Sequence, residues 1–571
     1  CWWLPYGSEN ATYLIDWINP FNSNTSQRIT VPKAEAGITQ HIYLPAHRTS
    51  NFTASFHARG EADSLSVSLV YGETGKLLTE ATVSGIHAEW QPFTASLNIP
   101  QDALAKGSSV EFRIGLRSTG QVWIDQAFLF PNDHISGFDP DVIRLLKDSQ
   151  LPLLRYPGGN FVSGYHWRDG VGPIHKRRVL PNPAWSVIEP NHVGTDEFID
   201  FCRAVGCEPL ICVNAGNGTP EEAAEWVEYC NASVDTPNGV LRAENGHPEP
   251  HNIRYWEIGN ELYGRWQIGH CTPEEYAERY EAFHTALLAV DPHLLIIANG
   301  QSLEWNAPLV ERKTELVRSF SLHTLSGGRS KAEKDPEAVY KALMGYIASY
   351  DSLLQDLQKQ AAPHNAEVKI AITEHQIMCG VPHLPTNATQ AESLYLAGAI
   401  HSAMRQGDFV EMITHSALVN HGGGLRKEQE IVYPSPVHWV SHLYANLPEA
   451  TLVQSVTSSP TFATDISTII SGKDFPYLDT LGALAGDDLI ILAINRHPTD
   501  SIKVSVELKG FVPEPNAEMQ TLSGGSYMSK NSWEHPDEVK IETKPIPVEG
   551  SSFTLLLSPH SVNALYLGGS P

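Results

Sequence analysis

The 571 residues carry 65 acidic against 39 basic side chains, a formal net charge of −26, and 42% of them are hydrophobic. This composition excludes a disordered or fibrous chain, and the length exceeds what one hydrophobic core holds, so two or three domains are expected. Phosphate backbones and anionic lipid surfaces would be repelled, and no apolar run approaches the roughly 20 residues that span a bilayer, so neither nucleic acid nor a membrane is an expected partner.

The chain begins Cys1-Trp2-Trp3 without an initiator methionine, and a leader or a longer piece upstream is expected. Nothing in the sequence chooses between a cytoplasmic and a secreted location. Six Asn-x-Ser/Thr sequons, at Asn10, Asn24, Asn51, Asn217, Asn231 and Asn387, would matter only in a eukaryotic secretory pathway. Seven cysteines (1, 202, 207, 212, 230, 271, 379) form no CxxC pair and have no matching histidine spacing. No metal centre is expected from them, and they read as buried thiols.

From about 38 to 130, alternating runs such as Ser64-Leu-Ser-Val-Ser-Leu-Val70 and Val110-Glu-Phe-Arg-Ile-Gly-Leu116 are separated by Gly, Asn and charged turns. Period two with this turn spacing predicts an antiparallel β-sandwich over 1–135, similar to a carbohydrate-binding module, although such sandwiches also serve as spacers. Over 136–442 the pattern changes. Apolar strands are predicted at 151–157, 208–214, 253–261, 294–299, 320–325, 368–374 and 412–419. Helices are predicted at 195–205, 220–230, 273–289, 336–360 and 390–406, and starts such as Thr219-Pro220-Glu221-Glu222 carry a cap, a proline and acidic residues. Alternating βα units predict an α/β fold, a (β/α)8 TIM barrel. Seven strands are found where a closed barrel needs eight, so the first barrel strand is expected upstream of residue 1. Alternation returns in Leu489-Ile-Ile-Leu-Ala-Ile494 and Val562-Asn-Ala-Leu-Tyr-Leu567, which predicts a second β-sandwich over 443–571.

Two predicted strands end on glutamate. Tyr255-Trp-Glu-Ile-Gly-Asn-Glu261 turns out at Gly259 and presents Asn260 and Glu261 at the barrel mouth, with Glu257 as a buried partner. Val368-Lys-Ile-Ala-Ile-Thr-Glu374 ends on a second carboxylate. Taken singly, the first could be an ordinary surface acid and the second a helix cap. Two of them on strand ends of one barrel instead point to glycosidic cleavage, in which one carboxyl protonates the leaving oxygen and the other attacks the anomeric carbon. In Arg155-Tyr-Pro-Gly-Gly-Asn-Phe-Val-Ser163 the glycines let backbone approach a ligand, and Arg155 and Asn160 suit sugar hydroxyls and carboxylate positioning. Trp167, Trp185 and Trp266 lie in predicted loops where an indole can stack on a sugar or serve the core.

These segments resemble glycoside hydrolase family 51, best known for α-L-arabinofuranosidases and including some endoglucanases and xylanases. The resemblance runs from Arg155 through Tyr165-His-Trp167 and Asp169-Gly-Val-Gly-Pro173, then Ala184-Trp185, Gly194-Thr-Asp-Glu-Phe198, Glu228-Tyr-Cys-Asn231, Ile258-Gly-Asn-Glu-Leu262 and Trp266-Gln-Ile-Gly-His270. It implies a retaining double displacement with no metal or organic cofactor, Glu261 as general acid/base and Glu374 as nucleophile. It further implies Arg155, Asn160, Trp185, Asn260 and the sixth-strand histidine His323 as substrate-binding residues. The sequence departs from the family in three places. Thr373-Glu374-His375-Gln376 replaces the usual Asp-Glu-Trp-Asn, Leu325 stands where many arabinofuranosidases place a tyrosine, and the family's opening strand with its acidic sugar ligand is not seen.

The expected partner is an oligo- or polysaccharide of the plant cell wall. An upstream fragment of the same precursor is a further expected partner, and homo-oligomers are compatible with the resemblance. An exo-acting α-L-arabinofuranosidase is the leading reading. An endo-β-1,4-glucanase or xylanase of the same family is the alternative, and a catalytically silent carbohydrate-binding protein is the alternative of another class.

Overall fold

The computed structural model describes residues 3–33 and 35–570. Cys1 and Trp2 lie outside the described residues, and the other six cysteines are buried free thiols. No helix among the described residues is long and apolar enough to cross a membrane.

The N-terminal run folds as two five-stranded antiparallel sheets. Their inward residues, among them Ile29, Phe52, Phe56, Val67, Phe112 and Ile114, form one core. Alternation does this directly, since in Gln91–Asn98 every second side chain is buried. The C-terminal run forms a six-stranded antiparallel sheet and smaller two-stranded pieces, including Ile502–Glu507 with Ser552–Leu557.

Between them lies a curled, all-parallel sheet of seven strands. We number its strands β1 (Leu153–Tyr156), β2 (Glu208–Val213), β3 (Tyr255–Ile258), β4 (Leu295–Ala298), β5 (Ser319–Ser326), β6 (Lys369–Ile377) and β7 (Val410–Ile413). They pair in that order, and among the described residues no strand joins β7 back to β1. The fold is the predicted α/β barrel type, with seven strands in place and one side open.

Helices cover the outside. Most begin as the sequence indicates, with Thr219 and Thr272 capping Pro220–Asn231 and Pro273–Val290 through bonds to the third backbone N–H. The single helix expected at 336–360 is two, Pro336–Ala348 and Tyr350–Ala361, broken at Ser349, whose hydroxyl donates back to the Tyr346 carbonyl. A further helix at Pro237–Glu244, capped by Thr236, is absent from the sequence-based expectation. Trp167 is core, almost fully buried and stacked on Trp226, so it is not a sugar platform.

The barrel interior is layered. Leu153, Leu210, Tyr255, Ile297, Ala371 and Met412 make a small apolar floor. One step toward the strand C-termini, Arg155, Cys212, Glu257 and Thr373 form a polar layer tied together by side-chain contacts. The catalytic candidates stand above that layer, where active sites of such barrels are built.

Candidate active site

Gly259 and Glu261 end the β3 strand in left-handed backbone, at φ 81° and 48°. Glycine adopts this freely, but a glutamate does so at a cost, which surrounding contacts must hold in place. The Leu262 N–H donates to Asn299 Oδ1 at 2.9 Å, and the Gly264 N–H closes a turn on the Glu261 carbonyl at 2.7 Å. The turn leaves the Glu261 carboxylate facing His323, whose Nδ1 lies 2.9 Å from Oε1. Tyr263 Oη donates to the same oxygen at 3.2 Å, and Trp266 Nε1 donates to Oε2 at 3.1 Å.

Glu374 reaches the site through a register shift. Leu322 pairs with Ile372, but the next residue, His323, pairs with Glu374, leaving Thr373 as an extra residue in β6. Strict alternation would send Thr373 and Glu374 to opposite faces. The bulge turns both inward. Thr373 Oγ1 donates to Glu257 at 3.2 Å and meets His323 Nε2 at 3.1 Å, while Glu374 Oε1 accepts from Arg155 Nη1 at 3.1 Å.

Arg155 links the groups from below. Its Nε donates to Glu257, its Nη1 to Glu374 and its Nη2 to Asn260 Oδ1 at 2.8 Å. Burial opposes its charge, yet Glu257 and the neighbouring groups raise its pKa further, so the guanidinium stays ionised. Gly158, at φ 64°, makes room for it, because a Cβ there would lie 2.5 Å from Nη1.

Oxygens of Glu261 and Glu374 and a nitrogen of His323 all lie within 4.8 Å of one another. Burial favours the neutral form of Glu261, but bonds from His323, Trp266 and Tyr263 outweigh it and lower the pKa below the ordinary value. His323 goes the other way. Burial disfavours its cation, and the charges of Glu374 and Glu261 raise its pKa overall.

A cavity of about 820 Å³ opens over this group, lined among others by Arg155, Asn160, Trp185, Glu261 and Glu374. Asn160 Oδ1 accepts from Gln267 Nε2 at 2.6 Å. Trp185, half exposed at the tip of the hairpin Leu180–Asn182 and Val187–Glu189, meets the His421 ring edge-on at 6.2 Å. Asn260 and His323 lie behind the carboxylates, both buried, and Asn260 Nδ2 has no partner among the described residues. Sequence reasoning misses Tyr263, Thr373 and Ser416, whose Oγ is 3.5 Å from Glu374 Oε2. Only contacts across strands reveal them.

Two groups of side chains bring potential metal donors together, the glutamate–histidine site itself and Asp196 with His247 and His251. At the second, Arg203 lies 3.2 Å from His251 Nδ1, while His251 Nε2 lies 3.1 Å from Asp196 Oδ1. With the arginine donating to Nδ1, Nε2 carries the hydrogen toward Asp196, which is a hydrogen-bond chain and leaves no free nitrogen lone pair for a cation.

A family profile described as the α-L-arabinofuranosidase 1 domain matches residues 145–330, and one described as the α-L-arabinofuranosidase C-terminal domain matches 368–561. A probable α-L-arabinofuranosidase C of Aspergillus niger is 30% identical over 396 residues, covering 65% of this chain and 78% of that protein. An intracellular exo-α-(1→5)-L-arabinofuranosidase of Halalkalibacterium halodurans is 31% identical, covering 67% and 80%. Among solved structures, the arabinose complex of an α-L-arabinofuranosidase from Thermotoga maritima superposes with a TM-score of 0.69 at 31% identity, over 76% of this chain and 90% of that one.

Proposed function

The chain belongs to glycoside hydrolase family 51, the α-L-arabinofuranosidase family, and we propose that Glu374 is its nucleophile and Glu261 its general acid/base. The protein is a glycoside hydrolase acting on carbohydrate, of the type that releases terminal α-L-arabinofuranosyl residues. The observation that carries the assignment of roles is the approach of the two carboxylates to within 4.8 Å across His323. Retaining enzymes hold their carboxyls about 5 Å apart, whereas inverting enzymes leave room for a water between them.

In the first step, a Glu374 oxygen attacks the anomeric carbon as the glycosidic bond breaks, and Glu261 gives its proton to the leaving oxygen. This forms a glycosyl ester of inverted configuration. In the second step, water attacks the same carbon, Glu261 takes the water's proton, and the ester bond breaks to return Glu374 as carboxylate. Two inversions give net retention. Arg155 orients Glu374, Glu257 holds Arg155, and Asn160, Asn260 and Trp185 serve the sugar, with the Asn260 amide as a donor that no protein group among the described residues uses.

The meeting of Trp185 with His421 over the cavity supports a blind pocket for a terminal residue in preference to an open cleft. Parallel assays on 4-nitrophenyl α-L-arabinofuranoside, carboxymethylcellulose and xylan test this. Arabinoside turnover is expected, and chain shortening without it would reverse the order of the two readings.

A polypeptide partner fits the open side of the barrel. The cavity continues from the glutamates between β7 and β1, where Leu154, Leu396, Ile400, Ile413, Val437 and Tyr444 line the space beside the two strand edges. We propose that a parallel strand from polypeptide outside residues 1–571 occupies this opening. Mass spectrometry and activity of purified protein are the test, and full activity in a preparation consisting of residues 1–571 alone would exclude it.

A further inference from the structure

Tyr263 takes no part in the two steps of hydrolysis. It sits two residues after Glu261, in the turn closed by the Gly264 N–H, and its ring lies edge-on to Trp266 at 6.3 Å and to the buried Trp305 at 5.6 Å. That packing fixes where its hydroxyl points, which is to Glu261 Oε1 at 3.2 Å. Burial, and then the charges of Glu261 and Glu374, raise the phenol's pKa, so it remains an O–H donor across the working range.

A carboxylate oxygen has two lone pairs in its plane. On Oε1 one receives Tyr263 Oη–H and the other faces His323 Nδ1 at 2.9 Å. On Oε2 one receives Trp266 Nε1–H at 3.1 Å, and the second is open among the described residues. These contacts make the two oxygens unequal.

We propose that Tyr263 is a positioning residue of the hydrolysis, which together with His323 fills Oε1 and reserves Oε2 for the proton that Glu261 gives to the leaving oxygen and takes back from water. This rests on Glu261 being the acid/base. In the first step the Oε2–H bond breaks as the leaving oxygen gains the proton. In the second, a water O–H bond breaks and the Oε2–H bond re-forms, so each turnover restores the proton to the oxygen that supplied it. The sequence departure at Leu325 gains a counterpart, because the hydroxyl absent from that strand is offset by one on the loop after β3, directed to the other glutamate.

The test is Tyr263→Phe, which keeps the ring that packs on Trp305. Without the phenolic donor the Glu261 anion is less favoured, so the basic limb of the kcat/KM profile should move up by about 1 pH unit. With its proton distributed over both oxygens, turnover of arabinosides with poor leaving groups should fall about 10-fold, a modest share of general-acid catalysis. Turnover of 2,4-dinitrophenyl α-L-arabinofuranoside, which needs no proton, should change less than about 2-fold. In a Glu261→Ala background, Tyr263→Phe should add no further leaving-group dependence. An unchanged basic limb, or equal losses on both substrates, would overturn the proposal. If Glu261→Ala itself slows both substrates equally, the acid/base reading fails, which is a separate outcome.

Discussion

Removing the Arg155 guanidinium should destabilise the barrel through the carboxylates it leaves behind. The arginine side chain is 8% exposed and Glu257 is fully buried. In Arg155→Met, Glu257 would keep only the Thr373 hydroxyl, and Glu374 only Ser416 at 3.5 Å and His323 at 3.8 Å. Three carboxylates would then share one imidazole. Removing one partner of a buried ion pair costs about 3–5 kcal/mol, far more than the pair contributes relative to apolar groups of the same shape. At about 2 °C per kcal/mol for a unit of this size, the transition of the barrel should fall by about 6–10 °C. Calorimetry at neutral pH measures this directly. The companion variant Arg155→Met with Glu257→Gln removes one stranded charge and should recover a substantial part of the loss. If Arg155→Met alone costs less than ~1 kcal/mol, or if Glu257→Gln worsens it, the carboxylates are adequately solvated without arginine and the guanidinium does not compensate them.

Glu374→Ala should lose several orders of magnitude in kcat on every arabinoside, and azide should restore turnover by giving a glycosyl azide of inverted configuration; persistent inertness with azide in folded protein would argue against the nucleophile. Trp185→Ala should raise KM by about 10-fold with a smaller change in kcat, if its indole contributes a typical stacking energy to the bound sugar. Isothermal titration with arabinose on the Glu374→Ala variant gives the same quantity without turnover. Burial, with His442 nearby, pushes His438 down from its ordinary value of 6.5 to about 4. The unfolded chain therefore takes up the proton first as pH falls, and stability is lost between pH 6.5 and 4, by up to about 3 kcal/mol. Urea unfolding across that window should show the slope, and His438→Gln should flatten it.

The fold was legible where burial follows a simple period. The alternation in Gln91–Asn98 and the caps Thr219 and Thr272 act over a few residues, and their structures follow from them. The positions of Glu261 and Glu374 at strand ends were legible for the same reason. The way each reaches the site was not. Glu261 depends on left-handed backbone that glutamate rarely adopts, and Glu374 on a bulge that alternation does not anticipate. Trp167 shows the converse. Its loop position suggested a sugar platform, but stacking on Trp226, distant in sequence, places it in the core.

Arg155 also bears on how an open barrel can hold a site to catalytic tolerance. Its strand, β1, pairs among the described residues on one side only, with β2, so the backbone ladder fixes that edge less firmly than it fixes β3 or β5. Yet its side chain crosses the interior to Glu257 on β3 and to Glu374 on β6. These ion pairs span the sheet where hydrogen bonds between neighbouring strands do not reach. A brace of this kind is directional, because a guanidinium presents its donors in a fixed plane, so it sets the orientation of the Glu374 carboxylate as well as its distance. Lysine would keep the charge and lose the plane. Arg155→Lys should therefore retain most of the stability that Arg155→Met loses while still losing kcat, and that separation distinguishes a brace that orients the nucleophile from a charge that merely neutralises it.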